Sequence, residues 1–330
     1  MNASFKLAGS AVTALCLSLP MWAAHAQTIR IDGSSTVFPV TEAVAEEFQK
    51  ANKGLKVTVG ISGTGGGFKK FCRGETDISN ASRPILAGEM KDCRANGVQY
   101  IELPVAFDAL TVVVHKDNPL KEISIDDLKK MWEPGAQGKV MKWKDANAAF
   151  PDQPLALFGP GADSGTFDYF TEAVTGKSKS SRGDFTASED DNVIVQGVSR
   201  NKNALGFFGY AYYEENKDKV KGLPISWKGG KAVGPSAAHV LDGTYQPLSR
   251  PIFIYVNAKS LARPEVKSFV EFFMKHAPKL VTEVKYVPLP AKAYEYNLAA
   301  VQKGRIGTKM GGENKVGLTI EQLMSLEAKE

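Results

Sequence analysis

The sequence predicts an α/β fold of two lobes, joined by two crossing strands and closing on a ligand in the cleft between them. Three observations carry this expectation. Three turns rich in Ser, Gly and Thr each follow a strand pattern and lead into a helical one: Asp32-Gly33-Ser34-Ser35-Thr36, Ser62-Gly63-Thr64-Gly65-Gly66-Gly67 and Ala162-Asp163-Ser164-Gly165-Thr166-Phe167. Two apolar strand patterns, residues 100–114 and 247–256, have the character of strands that leave one lobe and re-enter it. With 330 residues and 43% hydrophobic side chains, the chain is long enough to bury two cores.

The elements follow in order. Residues 28–31 read as a strand, and the first turn opens a helix with apolar residues at Val37, Val40, Val44 and Phe48, one face of a 3.6-residue period. Val57, Val59 and Ile61 alternate as a strand before the glycine turn, which precedes Phe68-Lys69-Lys70-Phe71. Residues 75–84 supply a further polar turn, where Pro84 bars a helix through Arg83 and leaves Arg83 in a loop beside Ser82. The strand at 110–114 ends at Lys116-Asp117-Asn118-Pro119, and Ser124 with Asp127 forms a capping box for a short helix to Trp132. Residues 155–158 feed the third turn. The helix begun by Phe167, Phe170 and Ala173 fades near Gly176, and a polar loop containing Arg182 follows. Ser188-Glu189-Asp190-Asp191-Asn192-Val193 reads as an acidic helix start whose carboxylates face solvent and complement the helix dipole. Residues 205–213, aromatic and punctuated by Gly206 and Gly209, fit a buried strand and lack the interleaved basic residues of a base-stacking platform. The stretch from Gly234 to Val240 reads as loop or short edge structure. Pro264 starts a helix with Val266, Phe269, Val270 and Phe273 inward, and Thr319 caps a short final helix. The crossing strands divide the chain into residues 27–106 with 252–330 as domain I and residues 107–251 as domain II.

Charge and cysteines narrow the function. The chain carries 41 basic and 36 acidic residues, a formal net charge of +5 that is too thin and dispersed for nucleic acid. Lys6, the apolar residues 7–19 and Ala24-His25-Ala26 before Gln27 read as a secretory signal peptide, residues 1–26, cleaved after Ala26 into the periplasm. Lipidation at Cys16 is the competing reading, but Leu15 stands where a small residue is required. No later stretch approaches ~18 uninterrupted apolar residues. Cys72 and Cys93 then remain as an even pair in an oxidising compartment, where a disulfide is the default and two buried thiols the alternative. His115, His239 and His276 show no metal-ligand spacing, so neither metal nor cofactor is expected.

A turn of this kind leaves the first N–H groups of its helix without partners, pointing at whatever lies above it, which favours an anion. One Ser-Gly-Thr turn alone is mostly an N-cap. Three in one chain point to a shared ligand.

In order and spacing, Asp32-Gly33-Ser34-Ser35-Thr36-Val37-Phe38-Pro39, Ser62-Gly63-Thr64-Gly65, Ser79-Asn80-Ala81-Ser82-Arg83 and Asp163-Ser164-Gly165-Thr166 resemble the periplasmic phosphate-binding proteins of the Pst type, over nearly all of residues 28–310. The resemblance implies a type II periplasmic-binding-protein-like fold, and delivery of inorganic phosphate to the membrane permease subunits of an ABC transporter. Carried over by residue, it implies an anion held by Ser35, Thr36, the N–H of Val37, Ser62, Gly63, Thr64, Ser82, Arg83, Asp163, Ser164, Gly165 and Thr166. Many members have an Arg shortly before the Ser-Gly-Thr turn, where this chain has Gly159-Pro160-Gly161. Arg83 is therefore assigned the cationic contact, with Arg182 in reserve. Asp163 is assigned the proton that phosphate keeps and sulfate lacks, with Asp32 as the other carboxylate considered. A monomer is expected. A phosphatase-like enzyme and an extracellular adhesion protein are the alternatives, the first disfavoured by the absence of a Gly-x-Ser-x-Gly elbow and of His-Glu-x-x-His.

Overall fold

The computed structural model describes Met1 and residues 28–326. The signal peptide, Cys16 and the cleavage after Ala26 lie outside the described residues. The first lobe opens with β1 (Thr28–Gly33), α1 (Phe38–Ala51), β2 (Lys56–Ile61), α2 (Gly63–Phe71), β3 (Ile78–Ala81), α3 (Ala87–Ala95) and β4 (Tyr100–Ala109). The second lobe runs through β5 (Thr111–His115), β6 (Ile123–Ser124), α4 (Ile125–Trp132), α5 (Trp143–Ala146), β7 (Ala156–Pro160), α6 (Gly165–Thr175), β8 (Thr186–Ser188), α7 (Asp191–Arg200), β9 (Ala204–Phe208), α8 (Tyr210–Asn216), β10 (Val220–Gly222), β11 (Ile225–Ser226) and α9 (Ala237–Leu241). The chain returns on β12 (Ser249–Asn257) and ends with α10 (Pro264–Glu283), α11 (Ala291–Gln302) and α12 (Ile320–Met324).

Each lobe has its own five-stranded sheet, ordered β2-β1-β3-β12-β4 and β10-β5-β9-β7-β8. The two crossing strands pair antiparallel along their length, from Tyr100 opposite Asn257 to Ala109 opposite Ser249, and both are buried throughout. At Leu110, whose N–H donates to Leu248 O (2.9 Å), the chain leaves one sheet for the other. The fold is the type II two-lobed form, because a single antiparallel pair carries both connections.

The helical stripes pack as their periods dictate. Val40, Val44 and Phe48 of α1 are buried, with Phe48 edge-on to Phe269 of α10 at 5.2 Å, and Val266, Val270 and Phe273 are buried beside it. In the second lobe Trp132 meets Phe170, Phe185 and Phe207 edge-on, while Phe170 and Phe207 stack 3.7 Å apart.

Three local expectations change. The aromatic stretch 205–213 is a strand only to Phe208; α8 starts at Tyr210, whose N–H is capped by Asp108 Oδ1 at 2.9 Å. The segment after Pro235 is helix α9, capped by Ser236, whose hydroxyl accepts from His239 N. The glycines 63–67 form the first turns of α2. Of these, α8 depends on a cap about a hundred residues away, while α9 carries its own cap in Ser236.

Cys72, at the end of α2, is bonded to Cys93 in α3. Thiol titration of denatured, unreduced mature protein is expected to find no free thiol. Closing this loop should contribute about 3 kcal/mol, which a Cys72→Ala/Cys93→Ala variant would lose in urea unfolding. Two free thiols, or unchanged stability, would count against the bond.

Candidate anion-binding site

The three turns meet at the seam between the lobes. Ser35 and Thr36 are buried, with their carbonyls held by Tyr212 OH (3.1 Å) and Tyr286 OH (2.6 Å). Thr36 Oγ1 lies 2.9 Å from Thr166 Oγ1 across the seam. Val37 is the N-cap residue of α1. On α2, Gly65 N–H donates to Asp163 O at 2.7 Å, and Gly63 adopts φ +74°. A Cβ at Gly165 would stand 2.5 Å from Thr64 Oγ1 and 2.8 Å from Ser82 Oγ, so the lobes approach here at a distance only glycine permits.

The hydrogen bonds give this seam a direction. Thr64 Oγ1 accepts from Ser82 N–H (3.1 Å), Ser164 Oγ from Thr166 N–H (3.1 Å), and Thr166 Oγ1 from Arg250 Nη2 (2.8 Å). A hydroxyl has one proton and two lone pairs. With a lone pair engaged by a fixed N–H, each of these three hydroxyls has its proton turned from that N–H, and those of Thr64 and Thr166 are shared with the hydroxyls of Ser82 (3.2 Å) and Thr36 (2.9 Å) unless a ligand takes them. An array of donors suits an anion.

Arg83 is fully buried. Its Nε donates to Asp168 Oδ2 (2.6 Å), Nη1 to Pro84 O (3.0 Å) and Glu89 Oε2 (2.8 Å), and Nη2 to Glu89 Oε1 (2.7 Å), which leaves one Nη2 hydrogen. Burial alone would lower its pKa, but Glu89 and Asp168 more than offset this and raise it. The loop position beside Ser82 is as expected; its pairing with α6 of the other lobe is not visible in the sequence.

The structure does not bring Arg182 to the turns. Its guanidinium is held by Asp184, Met131 O and Val140 O within the second lobe, and this pairing lowers Asp184 to about 2. The Asp163 carboxylate also stays out of the donor array. It is 40% exposed and paired across the lobes with Lys69 of α2 at 2.8 Å, at the solvent side of the seam, while the main chain of Asp163 meets Gly65. Asp32 is likewise occupied, accepting from Lys70 Nζ (2.7 Å) and from Ser62 Oγ, which takes the Ser62 proton away from any ligand.

Other groups, missed in the sequence, line the seam. Asp168 and Asp191 are buried, and each has one oxygen, Oδ1 and Oδ2 respectively, that accepts no hydrogen bond, with Lys179 Nζ 3.8 Å from Asp168 Oδ1. Burial raises the pKa of Asp168 against the pull of Arg83. Burial first, then Asp108, pushes Asp191 up to about 7. Asp191 Oδ1 accepts from Ser35 Oγ at 3.3 Å, so the acidic start of α7 is not simply a solvated face. Glu189 accepts from Asp163 N–H (3.1 Å), and its buried Oε2 lies against Gly63. Arg250 is buried on β12 with Asp108. Signals existed: Asp168 lies one helical turn beyond Ser164, and Arg250 interrupts an apolar strand, where a charge needs a partner.

Two α/β lobes on a pair of crossing strands, meeting over a donor-lined seam, define a type II solute-binding protein. Residues 20–276 match the model of the PBP superfamily domain. Protein SphX of Synechococcus elongatus is 53% identical over 96% of this chain and 94% of its own length. Phosphate-binding protein PstS of Staphylococcus saprophyticus is 41% identical over 81% of this chain and 82% of its own. A putative phosphate ABC transporter substrate-binding protein from Clostridium perfringens, solved with bound phosphate, is 26% identical with a TM-score of 0.68, covering 80% of this chain and 100% of that one. The chain belongs to the PstS family of the PBP superfamily.

Proposed function

We propose that the chain binds inorganic phosphate in the cleft and delivers it to the membrane permease of an ABC transporter. The observation that carries the reading is the donor polarity of Thr64, Ser164 and Thr166, fixed by Ser82 N–H, Thr166 N–H and Arg250. Relatives named as phosphate-binding proteins, one solved with phosphate, support it. Ser35, Thr36, Val37 N–H, Gly63, Ser82 and Gly165 complete the ligand set, and Arg83 supplies the cation through its remaining Nη2 hydrogen. Domain I comprises residues 27–106 and 252–330, and domain II residues 107–251. The mature protein begins at Gln27 in the periplasm and acts as a monomer. Binding without hydrolysis is the expected activity. Among the described residues, His115, His239 and His276, the bases a hydrolase would need, contact Asp117, Gly234 O and Phe272.

Selectivity against sulfate falls to Asp168, held beside Arg83, in place of Asp163. Phosphate near neutral pH retains a proton to donate to an unpartnered carboxylate oxygen, whereas sulfate would meet that oxygen acceptor to acceptor. Such a buried clash costs several kcal/mol, and ~1.4 kcal/mol is a factor of ten. Calorimetric titration is expected to show phosphate bound at least about a thousandfold more tightly than sulfate. Small-angle scattering should show a smaller radius on phosphate addition, because one small anion can touch both lobes only when the cleft is closed. Equal affinity for the two anions, or no phosphate binding, would overturn the reading.

A further inference from the structure

The ligand turn of the second lobe is tied directly to the crossing strands. Arg250 stands opposite Asp108 in the β12/β4 register, and its Nε and Nη2 donate to Asp108 Oδ2 at 3.2 and 3.0 Å. From that anchor Nη1 donates to Gly165 O (3.2 Å) and Nη2 to Thr166 Oγ1 (2.8 Å). The guanidinium lies over the Tyr169 ring, 5.5 Å from its centroid. That ring is fixed in turn by its hydroxyl, which donates to Pro247 O and Ser249 O at the start of β12. Asp108 has no oxygen to spare, since Oδ1 accepts from Tyr210 N–H. The guanidinium therefore has its position set on the strand side and on the ring side.

We propose that Arg250 is a positioning residue that fixes the hydroxyl of Thr166 as a donor to the bound anion, with Asp108 holding Arg250 in place. A guanidinium has donors only. It can bond Thr166 Oγ1 only through a lone pair, so the hydroxyl proton cannot face the guanidinium and is left to the seam, where Thr36 Oγ1 lies 2.9 Å off and either hydroxyl can donate. A side chain that also carried an acceptor at this point would let the proton turn back toward the strands and present a lone pair to the anion. Arg250 is also placed to hold the main chain of the turn through Gly165 O, so the same residue sets where the turn stands and which way its hydroxyl faces. The inference rests on the phosphate-binding reading and assigns to that site a residue 84 positions away from Thr166 in the sequence.

The test is a double-mutant cycle read by phosphate calorimetry. Arg250→Gln introduces the missing acceptor, Thr166→Val removes the hydroxyl, and the pair combines them. Each single change is expected to weaken phosphate binding by about ten- to a hundredfold. The double variant should bind no more weakly than the worse single one, because both remove the same donated proton. Arg250→Lys, donor-only like arginine, should recover most of the affinity lost in Arg250→Gln. Urea unfolding follows each variant. Should Arg250→Gln fail to fold because Asp108 is left charged and buried, the cycle is run on Asp108→Asn, where the same non-additivity is expected. Losses that multiply in the double variant, no loss in folded Arg250→Gln, or no rescue by lysine would overturn the inference while leaving phosphate binding intact. A native chain that does not bind phosphate would overturn the functional reading and the inference with it.

Discussion

An Arg83→Ala variant is expected to lose at least about a hundredfold in phosphate affinity and about 3–5 kcal/mol of stability. Glu89 and Asp168 face the guanidinium from opposite lobes, at 2.7 and 2.6 Å, and removing it leaves two carboxylates close together with only the more distant Lys179, 3.8 Å from Asp168, to offset them. Asp168 has no exposure through which water could take over. Lysine is a poor substitute, since one ammonium cannot reproduce the forked contact with Glu89 together with the Nε bond to Asp168. Calorimetry and urea unfolding on the same preparation separate the two effects. Full phosphate affinity in a destabilised variant would make Arg83 a tie between lobes only and move the cationic contact elsewhere.

Asp191→Asn is expected to stabilise the phosphate-free protein at pH 8 by a few kcal/mol and to change it little at pH 4. The Asp191 carboxyl is raised to about 7, first by burial and then by Asp108, against the opposing pull of Arg250, Gly209 N–H and Ser35 Oγ. Between the ordinary carboxylate range and about pH 7 the folded chain holds a proton that the unfolded chain has released. The stability this proton supplies is complete at low pH and falls as pH rises through about 7, by about 1.4 kcal/mol for each unit of difference between folded and unfolded pKa. Asparagine has the shape of the neutral acid and no proton to lose, so the decline should flatten. Tyr212 and Tyr286 lie beside the same carboxyl, but their own pKa values are raised, so they stay neutral over this range. Urea midpoints at pH 4 and pH 8 provide the check. Equal destabilisation at both would mean that Asp191 is a paired, charged group in the folded chain.

How much of this was legible follows from the range over which each signal acts. The stripe Val40, Val44 and Phe48 was readable because helix periodicity is local, and the Ser124 and Ser164 caps because a cap lies within three residues of the N–H it receives. The Cys72–Cys93 bond was readable because only one pair remained once the leader was set aside. The three turns could be read as donor turns, since a strand ending in small hydroxyl residues before a helix exposes N–H donors whatever surrounds it. Helix α8 was missed within the stretch read as a strand because its cap, Asp108, lies about a hundred residues earlier.

The sequence alone determined that this chain has two α/β lobes, two crossing strands and three anion-seeking turns, because each depends on periodicity, turn chemistry and capping within a few residues. Only the tertiary structure decided which charges enter the seam. It placed Arg83 against Asp168 and Arg250 against Asp108, pairs 85 and 142 residues apart, and left Asp163 outside with Lys69. The reason is desolvation: a buried charge persists only where a partner of opposite sign is delivered to it, and that delivery depends on how the lobes meet.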